Sequence, residues 1–243
     1  MKQTIFTITE NVALTATVYK MVLTGDTDGI VTGQFVNILL EGLYLRRPIS
    51  VCDCQGDTLT LVYKVVGKGT AQMSAMQAGQ TLDVLTGLGN GYDVTKAGDH
   101  PLLIGGGVGV PPLYMLARQL RQQGKTVSVI LGFNSADEVF YEQEFKALGC
   151  DVTVTTADGS HGVKGFVTAA LPAAYSYFYT CGPEPMLKAV YAATATSGQF
   201  SFEERMGCGF GACMGCSCKV ITGYKRICKD GPVLEKEEIL WDA

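Results

Sequence analysis

Several large classes of protein are excluded by what this chain lacks. Among 243 residues, 19 Lys plus Arg stand against 23 Asp plus Glu, and no basic run exceeds the pair Arg46-Arg47. With a formal net charge of -4 and a pI near 5.2, there is no electrostatic footprint for nucleic acid or an anionic membrane surface. No stretch of about 18 apolar residues occurs, so no membrane-spanning helix is expected. The opening residues MKQTIFTITENVAL are too polar for a signal peptide, and a cytoplasmic protein is the expectation. What the chain does have is 47% hydrophobic composition, enough for a substantial core. Its length fits one large domain, or two modest ones with an appendage.

Residues 1–98 read as short strands. Runs such as VALTATVYKMVL, GQFVNILL, PISVCDC, TLTLVYKVV and TLDVLTGLG are rich in Val, Leu, Ile and Thr and are parted by Gly and Asp turns. Regular short strands of this kind make an antiparallel barrel or sandwich. From residue 99 apolar runs alternate with helical periods: PLLIGG, LYMLARQLRQQG, TVSVILGF, DEVFYEQEFKALG, DVTVTTA, YSYFYTCG, PEPMLKAVYAATATSG and QFSFEE. That is a parallel α/β layout of five strands. Leu113, Leu116, Ala117 and Leu120 share one helix face, Gly124 and Gly149 stand where helix C-caps belong, and Pro183 with Pro185 opens the last helix. The expected fold class is α+β multidomain, divided at 1–98, 99–203 and 204–243. The last segment holds too little aliphatic material for a core of its own and needs another stabiliser, such as a metal centre.

Nine cysteines are many for a reducing compartment, and five of them fall between Cys208 and Cys228. Cys208, Cys213, Cys216 and then Cys228 follow the C-x4-C-x2-C…C spacing of plant-type [2Fe-2S] sites. Three thiolates on one loop converge only if the backbone turns sharply, which Gly207, Gly209, Gly211 and Gly215 permit. Backbone N–H groups of such a loop also reach cluster sulfurs. A four-Cys zinc site and disulfides are the alternatives. Zinc sites usually use two C-x2-C knuckles where this loop has one, and disulfides are disfavoured in the cytosol. Cys218 is read as a free thiol that points away from Cys216, because alternating positions project oppositely.

Gly105-Gly-Gly-Val-Gly109-Val-Pro-Pro112 lies between a strand and a helix. There Gly105, Gly106, Gly107, Gly109 and Pro111 let backbone approach a pyrophosphate at a helix N-terminus. The loop departs from G-x-G-x-x-G: Pro112 takes the third glycine position, and no Asp or Glu occurs between Gly107 and Asp137 to hold a ribose. A plain tight turn has the same look. Cys181, Gly182 and Pro183 end a strand at the edge where open α/β sheets bind ligands, although a buried cysteine before a Pro-opened helix reads the same way. In the first segment, Arg46-Arg47-Pro48-Ile49-Ser50 offers a guanidinium for a phosphate and a strand-borne hydroxyl for a flavin ring nitrogen; either arginine is equally a solvated charge. Gly67-Lys68-Gly69-Thr70 offers amides and a hydroxyl to a second phosphate, or forms a plain turn.

In this order, and over nearly the whole chain, the motifs resemble those of the ferredoxin reductase-like flavoproteins: R-x-x-S, a glycine-rich loop and a late C-G-P. The tail opens with Glu204-Arg205-Met206-Gly207-Cys208-Gly209 and closes with Gly223-Tyr-Lys-Arg-Ile-Cys228-Lys-Asp-Gly-Pro232. Within that superfamily it is similar to the electron-transfer subunits of B-type, NAD-dependent dihydroorotate dehydrogenases. The resemblance implies an antiparallel flavin-binding β-barrel, a parallel α/β nicotinamide-binding domain and a small C-terminal iron-sulfur domain. By the same resemblance Arg47, Pro48, Ile49 and Ser50 contact FAD, Gly69 and Thr70 hold its pyrophosphate, and Val62, Tyr63 and Lys64, by their spacing to that pair, border it. NAD(H) is then expected on the Gly105 to Pro112 loop and near Cys181, Gly182 and Pro183. Residues 133–145 contain no Arg or Lys to meet a 2′-phosphate, so NADH is expected over NADPH.

A hydride carrier delivers two electrons and an iron-sulfur cluster accepts one, so a flavin capable of both belongs between them. Further implications of the resemblance are a barrel-type partner subunit that carries FMN and oxidises dihydroorotate, a heterotetramer of two chains of each type, and a cluster at the subunit interface. No residue of this chain is assigned a catalytic role at the pyrimidine, and neither nucleic acid nor membrane is an expected partner. One alternative is the small subunit of another NAD(P)H-linked iron-sulfur flavoprotein, such as a ferredoxin:NADP or sulfide oxidoreductase. Another is a non-catalytic regulatory module with a four-Cys zinc site.

Overall fold

A computed structural model describes residues 1–241. In the first segment, β1 (Lys2–Ala13), β2 (Val18–Thr24), β3 (Phe35–Leu39), β4 (Arg47–Gln55), β5 (Thr58–Lys64) and β6 (Thr81–Leu88) close into an antiparallel barrel in the order β1-β2-β5-β4-β3-β6. Phe6, Met21, Leu23, Ile38, Leu59, Leu61 and Val84 fill its interior. Some elements differ from those expected. VALTATVYKMVL is not one strand, because residues 14–17 turn the chain and the Leu14 amide donates to the Val18 carbonyl at 2.8 Å. The polar N-terminus is a strand: Phe6 and Ile8 face inward while Thr7 and Thr9 face solvent, a half-buried alternation masked by its threonines. Gly67 to Thr70 is no plain turn either. It opens α1 (Lys68–Ser74), where the Thr70 hydroxyl accepts from the Val66 and Gly67 amides.

The second segment holds the five expected parallel strands: β7 (Leu102–Gly106), β8 (Ser128–Phe133), β9 (Asp151–Thr156), β11 (Phe178–Cys181) and β12 (Gly198–Ser201), with the two-residue β10 (Val163–Lys164) at one edge. Helices α2 (Pro112–Gln122), α3 (Glu142–Ala147) and α4 (Glu184–Ala193) connect them. α2 buries Leu113, Leu116, Ala117 and Leu120 completely, and Gly124 follows it at φ +78°, a left-handed position that glycine occupies without strain. α3 is shorter than the DEVFYEQEFKALG run suggests, because Tyr141 sits at φ 67° and no helix continues through that conformation.

The tail has a hairpin, β13 (Ser217–Val220) with β14 (Gly223–Arg226), and then β15 (Val233–Glu235), which pairs antiparallel with β12. The larger sheet therefore runs β10-β9-β8-β7-β11-β12-β15. Val220, Ile227, Leu234 and Ile239 join one apolar cluster with Ile104, Phe178 and Phe200, so the tail shares the core of its neighbour.

At this junction the Glu235 carboxylate accepts from Lys96 Nζ at 2.6 Å, Tyr177 Oη at 2.7 Å and Gln199 Nε2 at 2.8 Å. Burial alone would raise its pKa, but the Lys96, Gln199 and Tyr177 donors outweigh burial and hold it below the ordinary 4.5. A depressed carboxylate contributes stability above its unfolded pKa, and that contribution is lost as pH falls through the folded value. Glu235→Gln should therefore melt below the wild type at pH 7, and the gap should close as pH falls below about 4. A gap that stays constant from pH 7 to pH 3 in thermal melts would contradict this.

Candidate functional site

β4 opens with the R-x-x-S motif. Arg47, Pro48, Ile49 and Ser50 form its half-buried stretch, ahead of buried Val51, Cys52 and Asp53. The two arginines part company here. Arg46 donates to Asp83 Oδ1 at 2.8 Å and to the Asn37 and Asp83 carbonyls. Arg47 has no carboxylate partner among the described residues; it donates to the Leu45 carbonyl and lies over Gly69. A Cβ on Gly69 would stand 2.9 Å from Arg47 Cδ, so glycine lets α1 begin beneath that side chain. An unpaired guanidinium beside the first amides of a helix suits a diphosphate. On β5, Val62 shares an apolar cluster with Val110 and Leu113, while Tyr63 lies in the barrel interior and Lys64 is exposed. Tyr63 donates to Asn11 Oδ1 at 3.0 Å and stacks on Tyr19, and burial pushes its hydroxyl up to about 12.

Gly105 pairs with Cys181 across the adjacent parallel strands β7 and β11, which sets the glycine loop beside Cys181, Gly182 and Pro183. Contact between the two motifs is backbone on backbone: a Cβ on Gly109 would lie 2.5 Å from the Gly182 nitrogen and against the Cys181 carbonyl. Gly107, at φ +51°, has nothing within 4 Å of its Cβ position among the described residues and faces open space. Both motifs thus form one surface at the C-terminal ends of the strands, where such sheets bind ligands. Burial pushes the Cys181 thiol up to about 12, which keeps it neutral. Gly182 and Pro183 share a cleft of about 1110 Å³ with Arg47 and Pro48, and Met206, Cys218 and Trp241 of the tail line it too. Ile49, Ser50 and the Gly105 to Pro111 loop lie outside that lining.

The four spaced cysteines stand as two pairs. The Ala212 and Cys213 amides donate to Cys208 Sγ at 3.2 and 3.4 Å, and the Cys208 amide donates to Cys213 Sγ at 3.5 Å. In the other pair, the Cys228 amide donates to Cys216 Sγ at 3.4 Å. Among the described residues no three metal-ligating groups share one centre. Two thiol pairs suit the two irons of a binuclear cluster, whereas tetrahedral zinc needs all four thiols around one point. Arg226 braces the loop, donating to the Gly211 carbonyl at 2.8 Å and to Asp230 Oδ2 at 3.0 Å. Cys213 is exposed, while Cys216 and Cys228 are buried. Burial raises the Cys208 thiol, but the Phe210 and Cys213 amides outweigh it and bring the pKa down to about 6; burial and the neighbouring Cys216 push Cys228 up to about 12. Cys228 must therefore release a proton when it takes up metal. Cys218 lines the large cleft and Cys216 faces Cys228, yet not for the expected reason. Positions two apart on a strand share a face, and Cys216 precedes β13, so alternation does not govern the pair.

Residues 203–240 match the iron-sulfur cluster binding domain of dihydroorotate dehydrogenase B, and residues 103–192 match an oxidoreductase NAD-binding domain. The electron transfer subunit of dihydroorotate dehydrogenase B (NAD(+)) from Fusobacterium nucleatum subsp. nucleatum is 45% identical over 245 residues, covering 93% of this chain and 94% of that protein. Its counterpart from Geobacillus sp. (strain WCH70) is 41% identical over 256 residues, covering 99% of each. The chain belongs to the dihydroorotate dehydrogenase B electron-transfer subunits. Among solved structures, an NADH-dependent reduced ferredoxin-NADP oxidoreductase aligns with a TM-score of 0.89 and 30% identity, over 97% of this chain and 90% of that one. A ferredoxin NADP+ reductase from Neisseria gonorrhoeae, with bound FAD and NADP, shares the fold at a TM-score of 0.69 and 20% identity, over 79% of this chain and 90% of that one.

As a dihydroorotate dehydrogenase B electron-transfer subunit, the chain is an oxidoreductase component that uses FAD, a [2Fe-2S] cluster and NAD alongside a catalytic partner subunit. The free Arg47, the open Gly107 and the paired thiols are a donor set suited to these three groups. No helix among the described residues is long and apolar enough to cross a membrane. Sequence reasoning missed Tyr44 and Trp241, which line the cleft but carry no local signal; only the fold gathers them. Asn37 did carry one, as the polar break within FVNILL.

Proposed function

We propose that this subunit passes electrons from an FMN-bearing catalytic partner, where dihydroorotate is oxidised, to NAD+ across the cleft that joins its three segments, 1–98, 99–203 and 204–243. The observation that carries the reading is that cleft, because Arg47 and Pro48, Gly182 and Pro183, and the cysteine segment's Met206 and Cys218 all border it. FAD supplies the exchange between two-electron hydride transfer and one-electron cluster chemistry.

Arg47 binds the FAD diphosphate with the backbone of Gly69 and Thr70, while Pro48, Ile49 and Ser50 shape the pocket around it and the β5 stretch Val62, Tyr63 and Lys64 borders it. Gly105, Gly106, Gly107, Gly109 and Pro111, with Cys181, Gly182 and Pro183, hold NAD(H) at the sheet edge. Cys208, Cys213, Cys216 and Cys228 hold the cluster. Around it, exposed Phe210 and Met214 form an apolar rim beside exposed Cys213, where the partner docks. Two chains of each type make the assembly, in the cytoplasm.

The test is the visible spectrum of the anaerobic protein, before and after NADH, with dihydroorotate added in the presence or absence of the partner. Flavin and cluster absorbance should bleach with NADH, and with dihydroorotate only when the partner is present. Colourless protein holding zinc would overturn the reading. Similarity to the ferredoxin-NADP enzyme supports a second reading, and bleaching by reduced ferredoxin but never by dihydroorotate would favour it. A complex that sediments as one heterodimer would overturn the stoichiometry.

A further inference from the structure

Asn37 connects the barrel strand β3 to the cysteine loop of the tail. It sits on β3 opposite Pro48 of β4, so its backbone is paired with the R-x-x-S stretch. Its side chain reaches the cysteine loop instead, where Nδ2 donates to the Cys208 carbonyl at 3.3 Å. Cγ stands 3.2 Å from where a Cβ on Gly209 would lie, and Gly209 itself holds φ +77°. The Asn37 carbonyl accepts from Arg46, which is anchored on Asp83. Among the described residues, no other barrel side chain hydrogen-bonds the Cys208 to Cys216 loop.

Local packing disfavours an amide at this position. Asn37 is 1% exposed, lies between buried Val36 and Ile38, and its Oδ1 has no hydrogen-bond partner among the described residues. An unmet buried acceptor lowers stability, and an apolar side chain of similar shape would suit the strand better. A residue placed against local stability marks a functional demand.

We propose that Asn37 is a positioning residue for electron exchange between flavin and cluster: it fixes the Cys208 peptide, and so the first cysteine of the cluster loop, against the strand that bears Arg47 to Ser50. The inference rests on the FAD and cluster assignments above. No bond is made or broken at Asn37 and no proton moves there. One electron passes between two groups whose separation and orientation this contact sets.

The experiment uses the full chain loaded with FAD and iron, in complex with its partner. Wild-type protein lacking either cofactor overturns the assignments themselves, whatever Asn37 does. In Asn37→Leu the melting temperature should stay close to that of the wild type, since loss of the unmet oxygen offsets loss of the bond to the Cys208 carbonyl, with iron and FAD contents unchanged. The electron paramagnetic resonance spectrum of the reduced cluster should nevertheless change, and stopped-flow electron transfer between flavin and cluster should slow about tenfold, the equivalent of about 1.4 kcal/mol. Asn37→Ser, which avoids any crowding but cannot reach the Cys208 carbonyl, should slow transfer likewise. Two outcomes overturn the proposal: a lower melting temperature accompanied by loss of iron, which makes Asn37 purely structural, or an unchanged spectrum and rate in both variants.

Discussion

Cys228→Ser should strip the iron-sulfur cluster from the protein and end electron exchange with the catalytic partner while leaving the flavin in place. Serine offers a hard, weakly acidic oxygen where iron-sulfur chemistry selects a soft thiolate. The position allows no substitute ligand, because Cys228 is 2% exposed, is fixed beside Cys216 by its own amide, and follows fully buried Ile227. Iron content should fall to background, and partner-linked turnover should drop by more than the roughly 10–100-fold that altering a ligand's hydrogen-bond partner costs. FAD should remain bound and still bleach with NADH. Cys218→Ser is the control and should keep its iron. If instead Cys218→Ser lost the cluster and Cys228→Ser kept it, the ligand set would have to be redrawn.

Gly109→Ala should damage the nicotinamide side as severely. Its new methyl group would meet the Gly182 nitrogen and the Cys181 carbonyl, both backbone atoms that cannot rotate away. The loop must therefore shift by something on the order of 1 Å, and a displacement of that size at a reacting centre costs about a hundredfold in rate. The expected result is a large rise in KM for NADH and a slow bleaching of the flavin, with iron and FAD contents unchanged. Gly107→Ala should be milder, because its Cβ meets open space and only the left-handed backbone opposes it, at about 1–2 kcal/mol. Wild-type NADH kinetics in Gly109→Ala would place the nicotinamide nucleotide elsewhere.

Much of this arrangement was legible in the sequence because its signals are local. The cysteine spacing, the glycine loop after β7 and the five apolar strands of the second segment each depend on neighbours a few residues away. Other features were hidden for physical reasons. β1 alternates a threonine-rich face with a buried one and so reads as polar, and α1 begins at a glycine pair that equally suits a turn. The difference between Arg46 and Arg47 depends on Asp83, more than thirty residues on, which claims the first and leaves the second free. Asp53 and Arg118, paired at 2.6 Å, hold the barrel to α2, yet no spacing rule links residues so far apart. Likewise β15 carries no mark of its destination; only the finished sheet shows that the last strand closes against β12.

That closing strand has a consequence for cutting the molecule apart. β12 consists of four buried residues, Gly198 to Ser201, and β15 covers its outer side. A chain ending before Val233 would leave a row of unmet N–H and C=O groups beside Phe200, an apolar template open to a strand from any neighbouring copy. The metal-bearing tail is also the selvedge of the sheet, and trimming it away to obtain a simple flavin reductase would yield a protein inclined to polymerise.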